Sequence, residues 1–222
     1  MKKGLVLVGA AMLGASAHAV VVDDFLTGGY SSGAFSSGNQ SAWTNASVFG
    51  GIRYTSLTID VNPLAGDAKT RVITTPGILE VSTDADVDTH MSLGYGFAAS
   101  STTVGSNALN MNLISTPIFS MTFRSNDLLQ PVVATIFTNN GASSFTRTIN
   151  AVGGITPTSP VTYLFDFTSD AASLGDVDAI TFNFDPQPGG DFSLSGIQTV
   201  PEPASLAVLA IGGAAMLRRR KK

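Results

Sequence analysis

Between residues 20 and 199 the apolar positions recur with period two. They come in short runs separated by Gly, Pro, Asn and Asp, and no stretch sustains a 3.6-residue period. Alternation sends successive side chains to opposite faces of a pleat, so each run predicts a half-buried strand. Val20–Phe25 opens as a strand and ends in a turn, and Gly28–Asn39 follows as a Gly/Ser loop carrying Tyr30 and Phe35. Ile52–Val61 alternates most clearly: Ile52, Tyr54 and Ser56 on one side, Arg53, Thr55 and Leu57 on the other. Arg71–Thr75 and Gly77–Ser82 read as strands broken at Pro76-Gly77. His90–Phe97 reads as another, its Gly94 and Gly96 marking a bulge or a close backbone approach. Asn107–Ile114 sets Leu109, Met111 and Leu113 against Asn110 and Asn112, and Pro117–Arg124 alternates again. Pro131–Thr138 and Ser143–Asn150 flank Asn139-Asn140-Gly141, residues that accept positive φ, which predicts a hairpin. Val161–Phe167, Ala179–Phe184 and Asp191–Val200 complete the set. About ten to twelve short strands in one domain predict an all-β sandwich or barrel over residues 20–199.

The two ends follow other rules. Met1-Lys2-Lys3, the apolar Gly4–Gly14 and the small-x-small Ala17-His18-Ala19 have the order of a secretory signal. Residues 1–19 are therefore expected to form a signal helix, cut after Ala19 by signal peptidase, with a permanent N-terminal anchor as the competing reading. At the other end Val200-Pro201-Glu202-Pro203 precedes an uncharged run, Ala204–Leu217, and then Arg218, Arg219, Arg220, Lys221 and Lys222. Each proline fixes φ and biases its predecessor to extended backbone, so Val200–Pro203 is expected to be an extended strip suited to capture by a processing enzyme. A helix over the 14 residues Ala204–Leu217 is about 21 Å long, short of a hydrocarbon core of about 30 Å. The five cations make it read as a short hydrophobic helix held in the inner membrane with a cytoplasmic basic stop. A soluble terminal helix is the alternative.

Residues 200–222 resemble the PEP-CTERM sorting segment of Gram-negative bacteria in the Pro-Glu-Pro motif, the apolar run and the basic terminus. The resemblance implies an exosortase-type processing enzyme that cuts near Pro201-Glu202-Pro203. It also implies export across the inner membrane, transient anchoring there, and delivery to the cell surface or an extracellular exopolysaccharide matrix, with exopolysaccharide as a candidate partner. The body's last strands, Phe165-Asp166-Phe167, Asp176–Phe184 and Gly190–Ile197, together with the opening Val22-Asp23-Asp24-Phe25, resemble galactose-binding-like jelly rolls. That resemblance implies a jelly-roll-like sandwich. The chain departs from it at Ser195-Gly196-Ile197, where Gly196 replaces the usual acidic residue.

Charge sharpens this picture. Of 12 Lys and Arg, seven lie in the two ends, whereas all 16 acidic residues lie between Asp23 and Glu202 and 15 of them within residues 20–199, so the body is at −10 against −4 for the whole chain. An acidic body without a basic cluster argues against nucleic acid as a partner. The absence of cysteine removes disulfides, thiolate zinc and cysteine nucleophiles, and His90 is the only histidine beyond the signal.

Local motifs offer little chemistry. Asp84-Ala85-Asp86-Val87-Asp88 begins like a calcium loop, but Thr89 and Tyr95 stand where an EF-hand needs Gly and Glu. Solvated carboxylates or a calcium site of another geometry at Asp84, Asp86 and Asp88 remain as readings. Gly29-Tyr30-Ser31-Ser32-Gly33 matches G-x-S-x-G without the helix that a nucleophile elbow requires. Asp166, Asp170, Asp176, Asp178, Asp185 and Asp191 are ordinary turn and strand-start residues as readily as paired acids. No catalytic residue and no cofactor is expected. Trp43 and Tyr30, with Phe35 and Tyr54, are the aromatics available for stacking on a sugar, with Trp43 in the core as the alternative. Two functions follow: a non-enzymatic protein of the surface or matrix, or a carbohydrate-binding module.

Overall fold

A computed structural model describes residues 19–103 and 109–200. The alternating runs become β1 (Val21–Asp23), β2 (Tyr30–Ser31), β3 (Gly38–Asn45), β4 (Ile52–Val61), β5 (Ala68–Ile73), β6 (Ile78–Thr83) and β7 (Asp88–Tyr95). They continue as β8 (Ile118–Asn126), β9 (Gln130–Thr138), β10 (Ser143–Ala151), β11 (Val161–Asp166), β12 (Val177–Phe184) and β13 (Phe192–Val200). Two antiparallel sheets face each other. One has the order β11-β8-β13-β6-β5-β2 with β1 added beside β13, and the other is β10-β9-β12-β7-β4-β3. This is the all-β sandwich that strand count and spacing predict, jelly-roll-like as the resemblance of its first and last strands implies. Among the described residues no helix is long and apolar enough to cross a membrane. The expected signal and C-terminal helices lie outside the described residues, apart from Ala19 and Val200.

Period two is visible directly in burial. In β9, Val132, Ala134 and Ile136 point inward, while Val133, Thr135 and Phe137 are partly exposed. The hairpin predicted at 139–141 forms, with Ser143 opposite Thr138 and the register unbroken to Ala151 opposite Gln130. Asn139, Asn140 and Gly141 all have positive φ, the conformation Asn and Gly adopt at least cost. Both glycines of β7's end permit close approach. A Cβ on Gly94 would lie 2.7 Å from the Phe97 ring, and one on Gly96 would lie 2.4 Å from the Asp178 carbonyl oxygen.

Two expectations need correction. The loop predicted through Asn39 is shorter, because β3 begins at Gly38 and pairs with β4 along its whole length. The strand expected at Asn107–Ile114 is not one in its described part: Met111 makes a single bridge to Val177. Leu109 and Leu113 instead hold the segment by bonding to Asp178 and Leu174 carbonyls.

Phenylalanine fills the gap between sheets. Phe119, Phe123, Phe165, Phe167, Phe182, Phe184 and Phe192 are buried. They meet mainly edge to face, as in Phe119–Phe182 at 6.2 Å and Phe165–Phe182 at 5.6 Å. Each such ring pair adds about 0.5–1.5 kcal/mol beyond its burial. A polar group shares this interior. Arg53, fully buried, donates through Nε and Nη2 to the two carboxylate oxygens of Asp23 at 2.5 and 2.7 Å, and Tyr95 Oη donates to the same carboxylate at 2.8 Å. Phe25 N–H also donates to Asp23, and Arg53 Nη1 donates to the Thr27 and Gly28 carbonyls. Burial works against the Arg53 charge, but the Asp23 bonds and charge hold its pKa above the ordinary value.

The two ends of the described body meet. Thr199 N–H donates to the Val20 carbonyl at 2.8 Å, Val20 N–H donates to Thr199 Oγ1 at 3.1 Å, and Val21 lies opposite Gln198.

Candidate functional site

The outer face of the six-stranded sheet is built from rows of small polar groups with an aromatic strip along one side. Strand register fixes the rows. Trp43 lies opposite Tyr54, and Tyr54 opposite Gly94. One pair further along, Ser41, Ser56, Ser92 and Asn183 follow one another across β3, β4, β7 and β12. The next row begins Asn39, Thr58, His90.

The aromatic strip is held firmly. The Trp43 and Tyr54 rings are 5.0 Å apart and tilted by 41°. Gly94 leaves room for Phe97 to fold onto the sheet, where it meets the Tyr54 ring edge to face at 6.2 Å. Trp43 Nε1 donates to the Ser101 carbonyl at 3.0 Å, so the 98–103 segment pins the indole. Phe97 is buried beneath this strip, while Trp43 and Tyr54 keep part of their surface in solvent.

The polar rows are cross-linked rather than loose. Asn39 Nδ2 donates to Ser56 Oγ and Thr58 Oγ1, both at 2.6 Å, and Ser92 Oγ donates to Asn183 Oδ1 at 2.7 Å. His90 Nδ1 meets Asp60 Oδ2 at 2.6 Å on the exposed end of the face. A surface of oriented hydroxyls and amides beside two partly exposed rings suits a flat, hydroxyl-rich ligand, since aromatics supply apolar contact and the fixed polar groups supply orientation. Outward-facing charge is confined to the Asp60, Asp88 and His90 end. The Asp88 carboxyl is raised by burial and by the nearby Asp60 and Asp185 charges.

The structure sorts the other sequence candidates. Tyr30 is not beside Trp43: it lies on β2, at the edge of the other sheet, half-buried against the core with its hydroxyl pKa raised by that burial. Phe35 likewise packs on the core. Tyr54, on β4 of the six-stranded sheet, is the ring that Trp43 meets. Asp84, Asp86 and Asp88 go separate ways. Asp84 accepts from the Asp67 N–H, Asp86 is exposed at φ +64°, and Asp88 opens β7. Among the described residues no three His, Asp or Glu side chains are grouped to hold a metal ion. Ser31, the serine of the G-x-S-x-G match, is an exposed residue of β2 whose Oγ accepts from Gly33 N–H, and the only described histidine is on the other sheet. The signal residue Ala17, the sorting residues Pro201, Glu202 and Pro203, and the cations Arg218–Lys222 lie outside the described residues; Ala19 and Val200 lie within them.

Residues 199–221 match the PEP-CTERM protein-sorting motif. No curated protein matches the chain. Among solved structures, the chain is similar to the family 11 carbohydrate-binding module from Clostridium thermocellum in complex with a β-1,3-1,4-mixed-linked tetrasaccharide. The two share 16% identity over 82% of this chain and 95% of that one, at a TM-score of 0.40. It is also similar to the family 11 module of the Clostridium thermocellum cellulase Lic26A-Cel5E, with 15% identity over 84% and 96% and a TM-score of 0.42. At these identities and scores the likenesses say nothing of what this chain binds.

Proposed function

We propose that this chain is an exported, non-catalytic protein of the bacterial cell surface or exopolysaccharide matrix, delivered through its C-terminal sorting motif. The observation that carries the reading is the meeting of the ends. The matched motif begins at residue 199, on a strand whose Thr199 is hydrogen-bonded to Val20, the first residue expected after signal removal. Both membrane-directed segments therefore leave the folded body at one point. The test compares cells with and without the exosortase. The full chain should accumulate in an uncut, membrane-bound form when the enzyme is deleted; identical C-terminal masses in the two strains reject the proposal.

A second reading rests on the Trp43–Tyr54 strip and its rows of hydroxyls: the same protein binds a glycan chain along the outer face of the six-stranded sheet. The full-length chain in mild detergent should be retained on the host's own exopolysaccharide. Trp43→Ala, with unchanged circular dichroism, should abolish retention. Retention that survives Trp43→Ala would mean the face is not the site.

A further inference from the structure

The opposite face of the sandwich has a different character. Only five cations belong to the body, and three are spoken for: Arg53 by Asp23, Arg71 by Glu80 and Arg147 by Asp170. Lys69 and Arg124 have no hydrogen-bond or ion-pair partner among the described residues, and both sit on the outer side of the seven-stranded sheet. The arrangement follows from the register. Arg71, Glu80, Ser193 and Ser125 stand in line across β5, β6, β13 and β8, a span of about 14 Å at roughly 4.8 Å per strand. Lys69 and Ser82 form the neighbouring pair. Arg124 occupies a β-bulge, where β8 carries an extra residue against Ser193–Leu194. The bulge opens a groove of about 200 Å³ bounded by Arg124, Ser125, Ser193, Glu80 and Asp191, and a smaller one of about 120 Å³ continues between Lys69, Arg71, Glu80 and Ser82.

Both carboxylates on this groove have partners, but only Glu80 is paired with a cation, and Asp191 keeps its charge. Glu80 accepts from Arg71 Nε at 2.8 Å, and Asp191 accepts from Thr83 N–H at 2.7 Å. Ser125 and Ser193 share one hydroxyl–hydroxyl bond at 2.6 Å, which leaves acceptor and donor capacity on both. What remains unspent is a planar guanidinium fork, an ammonium group and a pair of hydroxyls. A guanidinium fork matches a carboxylate in two-point geometry, and hydroxyls match hydroxyls.

We propose that this groove binds a carboxylate-bearing glycan, a uronate chain, with one carboxylate on Arg124, another near Lys69 and the intervening sugar hydroxyls on Ser125, Ser193 and Ser82. The occupant's class rests on the surface or matrix reading above, and its charge rests on the two unpaired cations. In a body of net charge −10, the long-range field repels a polyanion, so recognition falls on these few short-range contacts.

The test uses the full-length chain in mild detergent and four immobilised materials: polygalacturonate, dextran, poly-glutamate and the host exopolysaccharide. Retention on polygalacturonate at low salt, absent on dextran and poly-glutamate, is expected. The Lys69→Gln/Arg124→Gln pair should weaken it at least about tenfold, and Arg124→Lys, which keeps the charge and loses the fork, should fall between. Trp43→Ala should leave it unchanged. Equal binding by the double variant overturns the site. Equal retention on poly-glutamate overturns the glycan class and assigns the face to acidic protein. Retention on host exopolysaccharide that depends on Trp43, with none on polygalacturonate, overturns this inference while leaving the surface reading intact.

Discussion

The interior holds two regions that do the same job by opposite means. On the β8, β11, β12 and β13 side, seven buried phenylalanines interlock. On the β1, β4 and β7 side, Asp23, Arg53 and Tyr95 form a buried polar clamp joined to the first region where Tyr95 meets Phe182 at 6.5 Å. The phenylalanine region gains from every Å² removed from water, and many side chains of similar volume serve it. The clamp gains little net energy, because taking two charges out of water offsets most of their attraction. What it supplies is specificity. Every donor of Arg53 that the structure describes goes to β1 or the turn after it, so the first strand of the body has one place to dock. Since β1 continues along β13 the pairing that Val20 and Thr199 begin, the clamp fixes the geometry where the two ends of the body meet.

The largest effect follows from breaking the clamp on one side. Asp23→Ala leaves the Arg53 guanidinium buried and unpaired, with an expected loss of about 3–5 kcal/mol in denaturant unfolding. The double substitution Asp23→Ala/Arg53→Met should recover a large part of it; a double variant as unstable as the single one would show that the loss is one of packing. Tyr95→Phe removes one bond to a buried carboxylate and should cost about 1–3 kcal/mol at neutral pH. It also changes the alkaline limb. Burial, then the Asp23 charge, pushes the Tyr95 hydroxyl well above its ordinary value. The folded protein thus keeps a proton that the unfolded chain releases above about pH 10. Stability from this group is fully present below that pH and declines as pH rises toward the folded value. Melting temperature against pH should fall less steeply above pH ~10 in Tyr95→Phe. In the other region, Phe182→Met keeps most of the volume but loses three ring pairs, with Tyr95, Phe119 and Phe165, and should cost about 1.5 kcal/mol, the low end for three such pairs, because the Met sulfur restores part of the ring contact. A larger loss would mean that ring geometry, not volume, holds that side together.

This contrast also explains what the sequence disclosed. The hairpin of β9 and β10 is encoded locally, by alternation and by residues that tolerate positive φ at 139–141. The alternation of β4 placed Arg53 on the Leu57 side, which is the inner face, but its partner lies 30 residues earlier and no local signal joins them. β3 was unreadable for a different reason. As an edge strand it has four exposed residues before Ala42 and no inward apolar series, so pairing with β4 makes it a strand. Trp43 could be singled out by type. Its surroundings, Ser92 on β7 and Asn183 on β12, are common polar residues brought together only by register. The same holds for Arg124 and Lys69, whose shared face depends on bringing the β5–β6 pair beside β13 and β8, which lie far along the chain. The strand misread at Asn107–Ile114 shows the converse: in 109–114, period-two alternation is present, yet Leu109 and Leu113 are anchored by carbonyls of the 174–178 segment instead of by a ladder.

The smallest expected effect tests whether burial decides the difference. Arg147 repeats the clamp's chemistry at the surface: it pairs with Asp170, donates to the Asp166 carbonyl at 2.6 Å and to Ser169 Oγ at 2.7 Å, and lies 5.0 Å from the centre of the Phe167 ring. The two side chains keep 31% and 24% of their surface in solvent, against none for Arg53 and Asp23. Water therefore screens the pair and hydrates each partner when the other is removed, so a broken bond is replaced rather than orphaned. Asp170→Asn preserves shape and removes only the charge, and it should change stability by less than about 1 kcal/mol, shrinking further in high salt. The carbonyl bond and the stacking on Phe167 do not need Asp170 and should keep Arg147 in place. If Asp170→Asn instead costs as much as Asp23→Ala, burial is not what separates the two pairs, and the clamp loses its claim to a special role in seating the first strand.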